Sequence, residues 1–183
     1  VFYPEQFDQS FTFNDLTHKG ALTAIRIEGP SNSVDHRIKN LSTELGLLEN
    51  EYSILESVQT KIFWNKTKNL EIFSNSKKNL LRIVVPISET LSVLQKMKPY
   101  EINYFLDWGG SLIWVELEKI SLKILREIKD IMQQHSGYFT IIKVEDDLKA
   151  SADIFTIDPI KYKISEKIKK SFDPKRIFNP GKM

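Results

Sequence analysis

Apolar residues recur at helical spacing in the first half of the sequence. One such stripe consists of Val34, Ile38, Leu41 and Leu45. It predicts a helix that Ser31 or Ser33 caps and that Gly46 ends in a left-handed conformation. A second helix is predicted from Leu55 to Asn69, with an inner face of Leu55, Val58 and Ile62. Before the first helix, Ala21 to Glu28 is interpreted as a strand, and a short strand is allowed near Tyr52, between the two helices.

The pattern changes at Leu80. Residues 81–85 are apolar except for Arg82, and Pro86 follows them. This pattern predicts a strand that ends at Pro86. A short helix follows from Ser88 to Met97, capped by Ser88, with Leu91 and Leu94 facing inward. The later segments are a strand at 101–108, a turn at Gly109-Gly110, a strand at 111–117, a helix to Gln134 and a strand at 138–144. That helix carries an apolar stripe of Ile124, Leu125, Ile128, Ile131 and Met132.

Residues 80–144 therefore have the order strand, helix, strand, strand, helix, strand. This order is typical of the split β-α-β arrangement of ferredoxin-like domains. The predicted fold class is α+β, with a ferredoxin-like β-α-β-β-α-β core. The earlier strand and helices are expected to extend its antiparallel sheet and cover it.

The C-terminal segment is predicted to be irregular but fixed. Asp158-Pro159 opens a last helix, whose apolar stripe is Ile160, Ile164 and Ile168. Residues 172–183 contain two prolines and one glycine, which exclude a regular helix or strand, yet they also contain two phenylalanines and an isoleucine. We expect this segment to pack against another surface.

Composition limits the possible functions. The chain has 183 residues, a net charge of +2 and no cysteine. The charge gives no support for nucleic-acid binding, and the absence of cysteine excludes disulfides, thiolate catalysis and iron–sulfur ligation by this chain. No apolar run approaches the ~20 residues of a membrane span. A cytoplasmic location is expected, with peripheral attachment to the inner face of a membrane as an open alternative. Residues 1–20 are interpreted as a linker from a preceding domain.

No self-contained catalytic pattern is present. There is no GxGxxG or P-loop, and the three histidines form no metal-ligand pair, so they are interpreted as solvent-facing or locally bonded. Asp146 and Asp147 are interpreted as a solvated turn. No catalytic residue and no metal ligand is assigned.

Two residues have both a structural and a functional interpretation. Arg82, inside an apolar strand, requires an anionic partner, an edge position or access to water; the functional alternative is a contact to a substrate carboxylate or a flavin edge. Trp108, before Gly109-Gly110, either shields a turn and packs in the core or forms the wall of a ligand pocket or a partner contact. Lys182 is a candidate for an anion such as a cofactor phosphate.

Several motifs resemble the FAD-linked oxidases of the vanillyl-alcohol oxidase type. The final residues FDPKRIFNPGKM are similar to the run that ends their C-terminal domain. The strand Leu81-Arg82-Ile83-Val84-Val85-Pro86 and the hairpin Asp107-Trp108-Gly109-Gly110 resemble segments of the FAD-binding subunit of bacterial glycolate oxidase. Leu81 stands where that subunit has tryptophan.

The resemblance implies that residues 21–183 are the cap domain of a larger FAD-dependent oxidoreductase. It implies FAD held mainly by an N-terminal domain outside this sequence, with Asn179 near the flavin and Gly181 allowing close backbone approach. It also implies a 2-hydroxy acid substrate, a second flavoprotein subunit and an iron–sulfur subunit. The parent would be an enzyme, and this chain alone would be inactive.

Two alternatives remain open. One is the cap domain of an FAD-linked oxidase that acts on another hydroxy acid or alcohol. The other is a stand-alone, non-enzymatic ferredoxin-like interaction module.

Overall fold

The computed structural model describes residues 1–4, 20–48, 51–145, 148 and 159–179. The chain divides into two compact units, Val1–Ser76 and Lys77–Met183. The strands are β1 (Phe2–Tyr3), β2 (Leu22–Thr23), β3 (Asn79–Val84), β4 (Asn103–Asp107), β5 (Leu112–Leu117) and β6 (Tyr138–Lys143). The helices are α1 (Ser31–Glu44), α2 (Ser57–Lys68), α3 (Thr90–Met97), α4 (Leu122–Gln134) and α5 (Pro159–Phe172).

The first unit contains a small aromatic core beside the antiparallel pair β1–β2. The ring of Tyr3 meets that of Phe63 edge-on, with 6.5 Å between the centroids. The Tyr3 hydroxyl also lies 2.9 Å from Oγ1 of Thr67. Phe63 and Thr67 are one helical turn apart, so these contacts determine which face of α2 is buried.

The predicted helices of this unit are confirmed, but the predicted faces and caps are wrong in part. Val58, expected on the inner face of α2, is 67% exposed. No side chain caps α1, which follows Pro30, although Gly46 has the expected positive φ of 65°. The strand predicted from Ala21 to Glu28 is limited to β2, and Tyr52 lies outside any strand.

The second unit contains a four-stranded antiparallel sheet in the order β4-β5-β3-β6. Helices α3 and α4 cover one face of it. The fully buried core between sheet and helices includes Leu81, Ile83, Ile113, Val115, Val93, Met97, Ile128, Met132 and Phe139. The α+β class and the antiparallel sheet are thus confirmed.

The two helices of this core differ in how well the sequence predicted them. In α4, Oγ of Ser121 accepts a hydrogen bond from the Ile124 backbone N–H at 3.2 Å, and the predicted apolar stripe packs on the sheet. Helix α3 begins at Thr90, after a 3-10 turn at Ile87–Glu89, and no side chain caps it. The predicted inward position of Leu91 is wrong, because its side chain is 72% exposed.

Helix α5 carries a row of apolar residues at helical spacing. Its members Ile160, Ile164, Ile168 and Phe172 are all exposed. The predicted cap Asp158 lies outside the described residues. Within the part of the chain that the structure describes, no helix is both long and apolar enough to cross a bilayer.

Gly137 provides a test of the packing between α4 and β3. A Cβ at this position would lie 2.5 Å from Cγ1 of Val85, 3.0 Å from the Val84 carbonyl oxygen and 3.3 Å from Sδ of Met132. We expect Gly137→Ala to lower the free energy of unfolding by about 1–3 kcal/mol through overpacking. The effect is measured by urea denaturation.

A double-mutant cycle isolates the cause. Val85→Ala removes the methyl group nearest to the new Cβ, so the double variant should lose less stability than the sum of the two single variants. Additivity within about 0.5 kcal/mol would contradict the predicted contact.

Candidate functional site

The face of the sheet that points away from α3 and α4 carries a row of polar and aromatic residues. Arg82 in β3 lies directly opposite Trp114 in β5 and Thr140 in β6. Trp114 in turn lies opposite Phe105 in β4, and the two rings stack with 6.4 Å between centroids. Since directly opposed residues share a face of an antiparallel sheet, these four residues form one row across all four strands.

The guanidinium of Arg82 is held by an aromatic ring and not by a carboxylate. Its Cζ atom lies 5.0 Å from the centroid of the Trp108 ring. Among the described residues, no carboxylate pairs with Arg82; on the same face, Glu116 instead accepts a hydrogen bond from Nδ2 of Asn103 at 3.3 Å. Strand β3 lies between β5 and β6, so Arg82 is not at an edge. Its N–H groups therefore remain available to a ligand.

Trp108 occupies a tight turn between β4 and β5. Three consecutive residues have positive φ angles: 51° at Trp108, 66° at Gly109 and 108° at Gly110. The Asp107 carboxylate accepts a hydrogen bond from the Trp108 backbone N–H at 2.7 Å. The indole is 58% exposed, which excludes the core position considered from the sequence. The structure thus brings together Arg82 and Trp108, the two predicted substrate residues.

A neighbouring segment supports this turn. Oγ1 of Thr90 donates a hydrogen bond to the Gly110 carbonyl oxygen at 2.8 Å. The side chain of Ile87 lies beside both glycines, 3.6 Å from where Gly109 would carry a Cβ. Sequence reasoning missed both supporting residues, because their roles depend on contacts about twenty positions away.

The second candidate region is the segment after α5. Both carboxylate oxygens of Asp173 accept backbone hydrogen bonds, from the N–H groups of Ile177 and Phe178 at 2.9 Å each. Nζ of Lys169 lies 3.4 Å from the same carboxylate. Burial raises the pKa of Asp173, but the two N–H donors and Lys169 outweigh it and hold this pKa below its ordinary value.

Two further contacts fold this segment back onto α5. Arg176 donates to both carboxylate oxygens of Glu166, at 3.2 and 2.9 Å. Nζ of Lys169 donates to the Phe178 carbonyl oxygen at 2.5 Å. The described part of this segment, residues 173–179, is therefore held by specific contacts, as predicted. It nevertheless leaves Phe178 67% exposed, so the expected packing of its apolar residues is not seen within the described residues.

The predicted cofactor residues are described only in part. Asn179 has a φ of 44°, and within the described residues its side chain makes no hydrogen bond. Gly181 and Lys182 lie outside the described residues, as do Asp146 and Asp147.

The described histidines are locally bonded. Nδ1 of His135 lies 2.5 Å from Oε2 of Glu89, and the buried Nε2 atom has no hydrogen-bond partner within the described residues. His36 lies 3.1 Å from the Asn40 amide on the surface of α1. No group of three or more potential metal ligands forms among the described residues.

No protein-family model matches this chain, and no curated protein sequence matches it significantly.

The Asp173 contacts predict a pH dependence. Because its folded pKa is lowered, the carboxylate stabilises the closed tail fully above the ordinary value of 3.8, and this contribution is lost as the pH falls through the lowered pKa. We expect the amide proton signals of Ile177 and Phe178 to titrate together with a midpoint below 3.8 in NMR spectra.

Asp173→Asn is the matched control, since it keeps the shape but removes the titrating group. Both amide signals should then be independent of pH in this range. Titration of the wild-type signals at or above 3.8 would contradict the predicted closure.

Proposed function

We propose that this chain is the cap domain of an FAD-linked oxidase that acts on a 2-hydroxy acid, similar to the FAD-binding subunit of glycolate oxidase. The observation that carries the proposal is the Arg82 guanidinium, which stacks on Trp108 and has no carboxylate partner among the described residues. Such a group is suited to an anionic ligand. The cap alone is inactive in this proposal, because the FAD-holding domain lies outside this sequence.

The strand order supports a ferredoxin-like assignment for the second unit. The elements β3-α3-β4-β5-α4-β6 follow the split β-α-β order, and the first of these strands lies between the third and the fourth. On the other face of the sheet, Phe105 and Leu112 are buried, whereas Arg82 and Trp114 are half-buried and so keep partial access to a ligand. The row that contains Arg82 and Trp114 lies on that other face.

Arg82 is proposed to bind the substrate carboxylate. A guanidinium presents its donors as a planar fork that matches two carboxylate oxygens. The Trp108 ring restricts the guanidinium from one side and competes for none of its N–H donors, because a cation–π contact uses the face of the ring. Trp108 then forms one wall of the substrate position.

The tail is proposed to face the flavin. Its closure by Asp173 fixes the backbone that leads to Asn179, whose amide is available for a ligand. Gly181 and Lys182 follow after Pro180 and are proposed to approach the cofactor. FAD, when bound, supplies the hydride acceptor.

The proposed partners follow from the same assignment. They are a second flavoprotein subunit and an iron–sulfur subunit, in a cytoplasmic complex that can attach to the inner face of a membrane. Since the chain has no cysteine, the iron–sulfur ligands would come from another subunit.

A non-enzymatic interaction module is the second candidate. The exposed apolar row of α5, together with the exposed Ile177 and Phe178, favours it, because such a surface is typical of protein contacts. A flavin spectrum separates the candidates. Yellow, FAD-containing protein from the complete reading frame supports the oxidase, whereas colourless protein supports the module.

Asn179→Ala tests the flavin contact. In the complete reading frame, we expect it to weaken flavin retention by about tenfold, since one hydrogen bond to a ligand contributes about 1.4 kcal/mol. Flavin release on dilution is measured by absorbance. Asn179→Asp serves as the conservative control, and unchanged flavin affinity in both variants would remove Asn179 from the site.

Arg82→Ala tests the substrate contact. We expect KM for the 2-hydroxy acid to rise by about 10²-fold, because a charge-assisted hydrogen bond contributes about 1.5–3 kcal/mol. Arg82→Lys keeps the charge without the fork and should give an intermediate KM. A lower melting temperature with unchanged kinetics would instead make Arg82 a structural residue.

A further inference from the structure

The turn at Trp108 stores backbone strain. Trp108 has a φ of 51°, in the left-handed region that residues with a Cβ rarely adopt. This conformation costs about 1–3 kcal/mol and persists only where surrounding contacts determine it fully. Residues strained in this way cluster at ligand sites. At Trp108 the strained backbone directs the ring over the Arg82 guanidinium.

Besides the contacts of Asp107 and Ser111 with Trp108, the turn is held from outside by residues 85–90, a segment that runs from the end of β3 to the first residue of α3. The Val85 backbone N–H donates to the Ser111 carbonyl oxygen at 3.0 Å, which closes the base of the turn. Thr90 Oγ1 donates to the Gly110 carbonyl oxygen at 2.8 Å, which fixes its tip. The Thr90 side chain is the only one in the described part of this segment that hydrogen-bonds the turn.

The Thr90 hydroxyl does not serve its own helix. Threonine at the start of a helix commonly caps it by accepting a hydrogen bond from a free backbone N–H group. Here the hydroxyl donates its proton to another segment, and α3 has no side-chain cap. Thr90 is also 4% exposed, so replacing its hydroxyl would leave the Gly110 carbonyl with one hydrogen-bond donor fewer.

The segment that carries Thr90 is itself anchored. Glu89 precedes Thr90 and pairs with Nδ1 of His135 at 2.5 Å. His135 is the residue that ends α4, where its backbone N–H donates to Ile131 and Met132. The turn is thus connected through Thr90 and Glu89 to the end of the longest buried helix of this unit.

We propose that Thr90 is a positioning residue, which holds Trp108 over the Arg82 guanidinium through the Gly110 carbonyl and so preorganises the anion-binding position. This role concerns the free chain and is independent of FAD. Its effect on ligand affinity rests on the proposed function.

The position of Trp108 can be measured directly. The chain has three tryptophans, Trp64, Trp108 and Trp114, so labelling with 5-fluorotryptophan gives three fluorine NMR signals. Trp108→Phe identifies the Trp108 signal by its loss. Arg82→Ala gives the chemical shift of the Trp108 signal when no guanidinium stacks on the ring. We expect Thr90→Val to move the Trp108 signal toward that unstacked shift, while the Trp64 signal stays in place. Thr90→Ser keeps the hydroxyl and should restore the wild-type shift.

Thr67→Val is the matched control. Thr67 is also a buried threonine with a hydrogen-bonded hydroxyl, but its partner is Tyr3 in the first unit. It should leave the Trp108 signal in place. If Thr90→Val does not fold, Thr90→Ala replaces it; failure of both variants to fold would overturn the proposal, since Thr90 would then be a residue of general stability.

Ligand titration gives the second readout. Glycolate added to the labelled wild-type chain should shift the Trp108 signal, and Thr90→Val should weaken this binding by about fivefold, the effect of one hydrogen bond. A Trp108 signal unchanged in Thr90→Val overturns the positioning role. A moved signal with no glycolate binding by the wild-type chain keeps that role and counts against the proposed function.

Discussion

The alternation of side chains along β3 determines where the candidate site lies. Leu81 and Ile83 are fully buried beneath α3 and α4, so Arg82 between them must occupy the opposite face. A slip of one residue would bury the guanidinium in the apolar core and expose both aliphatic side chains, which makes the register strongly determined. Because β3 pairs on both sides, the same register also places Trp114 and Thr140 beside Arg82. The position of the candidate site therefore follows from the packing of Leu81 and Ile83 on the opposite face of β3.

The cations of the tail differ from Arg82 in the groups that they contact. In the tail, Arg176 is paired with both oxygens of Glu166, and Lys169 contacts the Asp173 carboxylate and a backbone carbonyl. These groups have their acceptors within the chain and hold the tail closed. Within the described residues, Arg82 contacts only an aromatic face, which attracts the charge but accepts no hydrogen bond along the guanidinium plane. A ligand with paired acceptor oxygens would complete the Arg82 environment, whereas it would have to displace existing partners in the tail.

Much of the second unit could be predicted from local pattern, and less of the first. The apolar stripe of α4 and the Gly109-Gly110 turn depend on nearest neighbours along the chain, and both were predicted correctly. The predicted buried face of α2 was wrong in part, because Tyr3 selects that face from sixty positions away, and periodicity contains no such information. Arg82 and Trp108 were found as single residues, but their contact was not, since it joins two strands through a turn. Thr90 was not found at all, because its role depends on a hydrogen bond to Gly110, twenty positions later in the chain.

The C-terminal motif has a different meaning once its contacts are considered. Asp173 accepts two backbone hydrogen bonds from residues four and five positions later, which is a local closure that needs no cofactor. Asp173, and Arg176 with its positive φ, therefore account for the shape of the tail and give no evidence of flavin. Residues that carry the resemblance of this run to the FAD-linked oxidases therefore also serve the local closure. Asn179 differs from Asp173 and Arg176, because within the described residues its amide takes no part in the closure of the tail. The flavin assignment consequently depends on Asn179 and on the residues that follow it.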